Sequence, residues 1–112
     1  MTHKMRLHNR PFLAIKKGKK RVELRLLDEK RSMLNEGGMV EFTNTKTGET
    51  LLCRVAKLRV FPNFEKLYVA YSPIEIGYEE NQVADPKDML QYYTQEEIDR
   101  YGVVAIELQL TE

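Results

Sequence analysis

The sequence holds one cysteine, Cys53, so no internal disulfide can staple the fold. No apolar run approaches the roughly 20 residues that a membrane-spanning helix needs. The first residues, Met-Thr-His-Lys-Met-Arg, lack the apolar stretch of a secretory leader. These absences predict a cytoplasmic protein with no membrane contact. The familiar catalytic signatures are missing too: no glycine-rich phosphate loop, no zinc-ligand set, no serine nucleophile elbow. His3 and His8 have no Cys or His cluster to join, so no metal and no cofactor is expected. Neither an internal repeat nor a low-complexity segment interrupts the chain.

What is present is a soluble, globular balance over 112 residues, with 42% hydrophobic and 31% charged. That length predicts one domain, residues 1–112, around one modest core. Net charge is +1 but unevenly spread. Residues 1–32 carry 11 Lys/Arg against 3 Asp/Glu, a net of +8. Residues 33–112 carry 7 against 14, a net of −7. Such asymmetry suits an anionic partner for the first third, nucleic acid foremost. It equally suits two halves that pair with each other across the fold.

Residues 17–26, Lys-Gly-Lys-Lys-Arg-Val-Glu-Leu-Arg-Leu, concentrate the question. Gly18 breaks what precedes it, and Lys19, Lys20 and Arg21 follow. Then Val22, Leu24 and Leu26 alternate with Glu23 and Arg25, which predicts a half-buried strand over 19–26. Its charged face is either a solvated surface or the floor of a polar pocket. Strict alternation puts Lys20 on the face opposite Glu23 and Arg25. All three share one cleft only if Lys20 precedes the regular strand or a bulge intervenes. In a pocket, Arg25 would hold a phosphate or carbonyl, Glu23 would accept from a base amine, and Lys20 would supply charge. Otherwise Glu23 and Arg25 are an ion pair that satisfies the end of the sheet.

The remaining elements follow from spacing and caps. Met5 and Leu7 suggest a first strand. Asn9 as cap, Pro11 in the first turn and Gly18 past the end frame a short helix. Residues 28–36 read as a polar turn pinned by Met33 and Leu34. Residues 39–60 read as a hairpin about Thr45-Lys46-Thr47-Gly48, with Val40 and Phe42 inward and Leu52, Ala56, Leu58 and Val60 in phase opposite Cys53. Cys53 itself reads as a small buried hydrophobe. Asn63 caps a helix bearing Phe64, Leu67, Tyr68 and Tyr71, and residues 74–84 read as a mobile loop. Asp85-Pro86 opens a further helix. Thr94 with Glu97 forms a capping box before Gln95–Tyr101, and Gly102 leads into a strand with Val104, Ile106, Leu108 and Leu110 inward. Irregular alternation of strands and helices predicts an α+β, mostly antiparallel domain whose sheet can curl into a barrel. Five tyrosines could offer stacking faces to unpaired bases. Tyr68 and Tyr101 read better as core, while Tyr92 and Tyr93 stay open.

Gly18-Lys19-Lys20, then Glu23 and Arg25, in a strand after a short helix, resembles the ASCH domain, whose motif reads Gly-x-Lys-Thr-x-Glu/Thr-x-Arg. Phe42-Thr43-Asn44, Thr47-Gly48-Glu49-Thr50, Phe61-Pro62-Asn63-Phe64-Glu65, Tyr92-Tyr93-Thr94-Gln95-Glu96-Glu97 and Tyr101-Gly102-Val103 follow in the family's order, so the resemblance spans nearly the whole chain. It implies a PUA-like fold: a small β-barrel with short helices closing one side and a cationic cleft for RNA or a modified nucleotide. The implied ligand-binding residues are Lys17, Lys19, Lys20, Arg21, Glu23, Arg25, Asn44 and Tyr93. Some relatives resemble amidohydrolases acting on N4-acetylcytidine, which use a Lys, a Thr three residues later and a helix Glu; others resemble ribonucleases. Carried onto this chain, the catalytic Lys matches Lys20, the Thr position holds Glu23, and Glu65 and Glu75 are candidates for the helix Glu. A third reading is a protein-interaction domain using the acidic C-terminal half.

Overall fold

The structure, a computed structural model, describes residues 2–111. Its strands are β1 (Thr2–Leu7), β2 (Val22–Leu26), β3 (Met39–Asn44), β4 (Thr50–Phe61) and β5 (Val103–Leu110). Its helices are α1 (Asn9–Lys16), α2 (Phe64–Ala70) and α3 (Gln95–Tyr101), with 3₁₀ segments at Arg31–Met33 and Pro86–Gln91. The strands form one sheet in the order β1-β3-β4-β5-β2, parallel only between β1 and β3. The sheet curls into a half-barrel, so the fold is mixed α+β and PUA-like. Its two edge strands, β1 and β2, are bridged where the Arg25 Nη2 donates to the Arg6 carbonyl at 3.1 Å.

Two apolar clusters lie on opposite faces of β5. Inside the curl, Met5, Phe12, Ile15, Val40, Phe42, Cys53 and Val55 pack with Val104 and Ile106. On the other face, Val22, Leu24 and Leu26 pack with Phe64, Leu67, Ile76, Ile98, Val103 and Ala105. A strand covered on both faces has no polar side. That is why Val103 to Ile106 are all buried and not alternate residues only, while Leu110 at the strand's end is exposed.

Other expectations are corrected for equally local reasons. In β4 a register shift between Val55 and Lys57 reverses the phase. Cys53 and Val55 therefore point inward, while Leu52, Ala56 and Val60 are exposed. Met33 is 63% exposed and only Leu34 pins the 28–36 turn. His8, not Asn9, is the residue before α1, because the Asn9 side chain is engaged elsewhere, accepting from the Asn44 amide at 2.9 Å. Asn63 and the Thr94/Glu97 box cap α2 and α3 as expected. The 74–84 loop is tied down. The Glu75 carbonyl accepts from the Arg21 and Val22 amides, Ile76 is buried, and Glu79 pairs with Arg10. No helix among the described residues is long and apolar enough to cross a membrane.

Cys53 has no exposed surface, and burial pushes its thiol up to about 11. A thiol reagent near neutral pH should therefore label the protein only after unfolding. Prompt labelling of the native state would show that β4 opens.

Candidate functional site

Lys20 precedes the regular strand, which starts at Val22 and not at Lys19, and so escapes the alternation that would separate it from Glu23. Its amide donates back to the Ala14 carbonyl at 3.0 Å, which bends the chain between α1 and β2. The Lys20 Nζ lies 2.8 Å from the Glu23 Oε1, and the Arg25 Nε donates to the Glu23 Oε2 at 2.6 Å. Lys20, Glu23 and Arg25 thus converge on one point, with Glu23 at its centre and 3% exposed. Burial alone would push the Glu23 carboxyl up; the charges and hydrogen bonds of Lys20 and Arg25 outweigh it and hold the carboxyl below its usual range.

The cluster sits where β2 approaches β1, on the face shared with Val104 and Ile106, the β5 partners of Arg25 and Glu23. Gly77 roofs one end. Its φ of +111° suits glycine, and a Cβ there would come within 3.1 Å of the Lys20 Cδ. The Tyr93 ring stacks on Phe64 with centroids 6.1 Å apart, within the apolar cluster of the opposite face, its hydroxyl in partly buried surroundings. Burial raises that hydroxyl's pKa, against the nearby charge of Arg25. Two cavities, of about 210 and 90 Å³, open elsewhere, against Leu34 and Met39 and against Phe64 and Leu90. Each Glu23 carboxylate oxygen accepts from one cation, so Glu23 orients Lys20 and Arg25 towards each other.

The other nominated residues divide. Lys17, Lys19 and Arg21 are exposed on the approach to β2 and have no acidic partner among the described residues. Lys16, their neighbour, pairs with Glu49, and Arg10 with Glu79, so the basic third is only partly neutralised by the acidic remainder. Asn44 is buried but engaged locally: its Oδ1 accepts from the Lys46 amide at 2.9 Å and its amide holds Asn9. Glu65 is exposed in the first turn of α2, and Glu75 lies in the loop with its carboxylate accepting from the Ser72 amide. Tyr68 meets the Tyr78 hydroxyl at 2.9 Å, packed as core, whereas Tyr92 is 57% exposed. No group of three or more metal-ligating side chains occurs among the described residues. Sequence reasoning missed Gly77, which gives no local signal inside an aperiodic loop.

A curled α+β sheet with a buried basic cluster between its edge strands defines a PUA-like protein. Residues 5–112 match the family model of the ASCH domain, and the chain belongs to that family. The solved structure of hypothetical protein PH0355 is similar, with a TM-score of 0.83 and 30% identity over 98% of this chain and 99% of that one. Protein PF0455 from Pyrococcus furiosus is similar too, with a TM-score of 0.76 and 29% identity over 100% of this chain and 99% of that one. A mutant ZmASCH protein from Zymomonas mobilis shares the fold at 16% identity, with a TM-score of 0.69, over 96% of this chain and 67% of that one. No curated protein gives a significant match.

Proposed function

We propose that this ASCH domain binds RNA or a modified nucleotide at the seam between β1 and β2. One observation carries the reading: two cations share one buried carboxylate, so the Lys20–Glu23–Arg25 cluster keeps an unneutralised positive charge. Lys20 keeps further N–H groups beyond its Glu23 bond, and Arg25 keeps its Nη1. These donors suit a phosphate or a base carbonyl, with Glu23 fixing their geometry. Tyr93, whose hydroxyl feels the charges of Arg25 and Glu23, offers an aromatic ring for an unpaired base. Lys17, Lys19 and Arg21 supply the exposed charge that draws a polyanion towards it. The Thr of the amidohydrolase motif is replaced by Glu23, whose oxygens are both engaged, and no observation favours that reading or the ribonuclease one.

Titration of a short single-stranded RNA tests the proposal. The Lys17→Ala/Lys19→Ala/Arg21→Ala triple variant should bind at least tenfold more weakly at low salt. Its plot of log affinity against log salt should be flatter by about 2, the share of three phosphate contacts on a single strand. Equal affinity and slope in the triple variant would remove this segment from the interface. Loss of binding in Lys20→Ala with the fold intact supports the cluster as the recognition point.

A further inference from the structure

The irregularity in β4 turns a second group of cations outward. Before it, Cys53 and Val55 face the core inside the curl. The register shift between Val55 and Lys57 reverses the phase, so Lys57, Arg59 and Phe61 pair with Glu107, Ala105 and Val103 and share their face. A bulge re-aims side chains in just this manner. The Arg59 guanidinium then lies against two rings, 5.2 Å from the Phe61 centroid and 5.4 Å from the Tyr71 centroid. Tyr71 follows directly on α2, and its hydroxyl donates to the Glu107 Oε2 at 2.7 Å. That bond engages the acid of this row. No carboxylate among the described residues forms an ion pair with Arg59 or Lys57. Lys57 is exposed, and Arg59, Phe61 and Tyr71 are half-buried, so the group faces solvent.

An arginine held on aromatic faces, with no acid of its own, keeps charge and in-plane N–H groups for an oxyanion. The sheet joins this group to the basic segment before β2. Glu107 pairs with Lys57 on one side and with Val22 on the other. Arg21, next to Val22 and exposed, accepts from the Leu108 amide on its carbonyl at 2.8 Å. Lys57 and Val22 are thus two strand spacings apart, about 10 Å. Cations interleaved with aromatic rings on an open sheet suit a single strand of nucleic acid. We infer that a bound RNA strand runs from Arg21 across β5 to β4, where Arg59 takes one of its phosphodiesters and Lys57 adds charge beside it. This rests on the RNA reading above and deepens it: the ligand is a strand several nucleotides long and not a single nucleotide.

The test titrates wild type, Arg59→Gln and Arg59→Lys across a salt series, with a thermal melt beside each titration. The probes are the four nucleoside monophosphates and a mixed-sequence single-stranded RNA of about 10 nucleotides, within the site size of a small barrel domain. Wild type should bind the RNA more tightly than any monophosphate. Arg59→Gln should bind the RNA several-fold more weakly, with a salt slope flatter by about 0.7, one phosphate's worth. Its affinity for the monophosphates should not change. Arg59→Lys should keep the slope and still lose affinity, because an ammonium has the charge but neither the fork nor the stacking plane. If Arg59→Gln binds the RNA with wild-type affinity and slope, Arg59 is no phosphate contact, whatever its Tm. Equal losses for RNA and monophosphates would trace the effect to the seam and overturn the path across β5. A wild type that binds a monophosphate as tightly as the RNA overturns this inference and leaves the proposed function standing. One that binds neither fails both.

Discussion

Glu23→Gln should lower the stability of the domain by about 3–5 kcal/mol, the scale of removing one partner from a buried ion pair. Glutamine keeps the shape but brings an NH₂ where the second carboxylate oxygen stood. That donor then faces the Lys20 Nζ or the Arg25 Nε, both of which are donors themselves. The two cations are also left close together with no negative charge between them, at a site only 3% exposed. Burial decides the magnitude. The Arg10–Glu79 and Lys16–Glu49 pairs are solvated, and breaking either costs about 1 kcal/mol or less. In a domain of this size the Glu23→Gln loss appears as a fall in Tm of roughly 10 °C or more. Combining Glu23→Gln with Arg25→Met should recover most of it, because the Gln carbonyl can still accept from Lys20 and no second cation remains. A single variant melting like wild type would show that the carboxylate does not hold the cluster.

The same residue sets part of the acid response. The Glu23 carboxyl is held below its unfolded value, which lies near 4.5. A group depressed on folding stabilises fully above the unfolded value, and its contribution disappears as pH falls through the folded one. Wild type should therefore lose stability below about pH 4.5 more steeply than Glu23→Gln, and the two curves should converge in acid.

The elements that could be read from the sequence were those set by neighbours along the chain. The Thr94/Glu97 box, the Asn63 cap, the Gly102 stop and the β3–β4 hairpin depend on residues a few positions apart, and all appear where expected. The misread elements depend on partners far away. The β5 pattern looked one-sided because its run of apolar residues cannot say that α2 and α3 cover its second face. The β4 phase inverted because the shift at Val55/Lys57 is a property of its pairing with β5. The convergence of Lys20 with Glu23 and Arg25 was legible only as a condition, namely that Lys20 come before the strand. What meets the condition is the Lys20 amide bonding back to Ala14, together with the Glu75 carbonyl that caps the Arg21 and Val22 amides. Gly77 joins the site through a loop whose sequence carries no periodicity.

Phe64→Ala should cost about 3–5 kcal/mol and disorder Tyr93 at the same time. Phe64 opens α2 directly after the Asn63 cap and is 1% exposed, packed with Leu67 and Ile98. Truncation removes that contact area and leaves a cavity that a helix held at its cap cannot collapse into. Tyr93 lies nearly parallel to the Phe64 ring, at an interplanar angle of 13°. Without that backing, Tyr93 loses the ring it stacks on. Phe64→Leu separates the two consequences: it keeps an apolar anchor for the helix, at a smaller cost, but offers no ring to stack on. The sequence has no tryptophan and six tyrosines, so near-ultraviolet dichroism reports mainly on the tyrosine packing. The expected result for Phe64→Leu is a modest fall in Tm, an altered tyrosine signal and several-fold weaker RNA binding. Wild-type RNA affinity together with a changed tyrosine signal would show that a base does not stack on Tyr93, and that recognition rests on the cations of the seam alone.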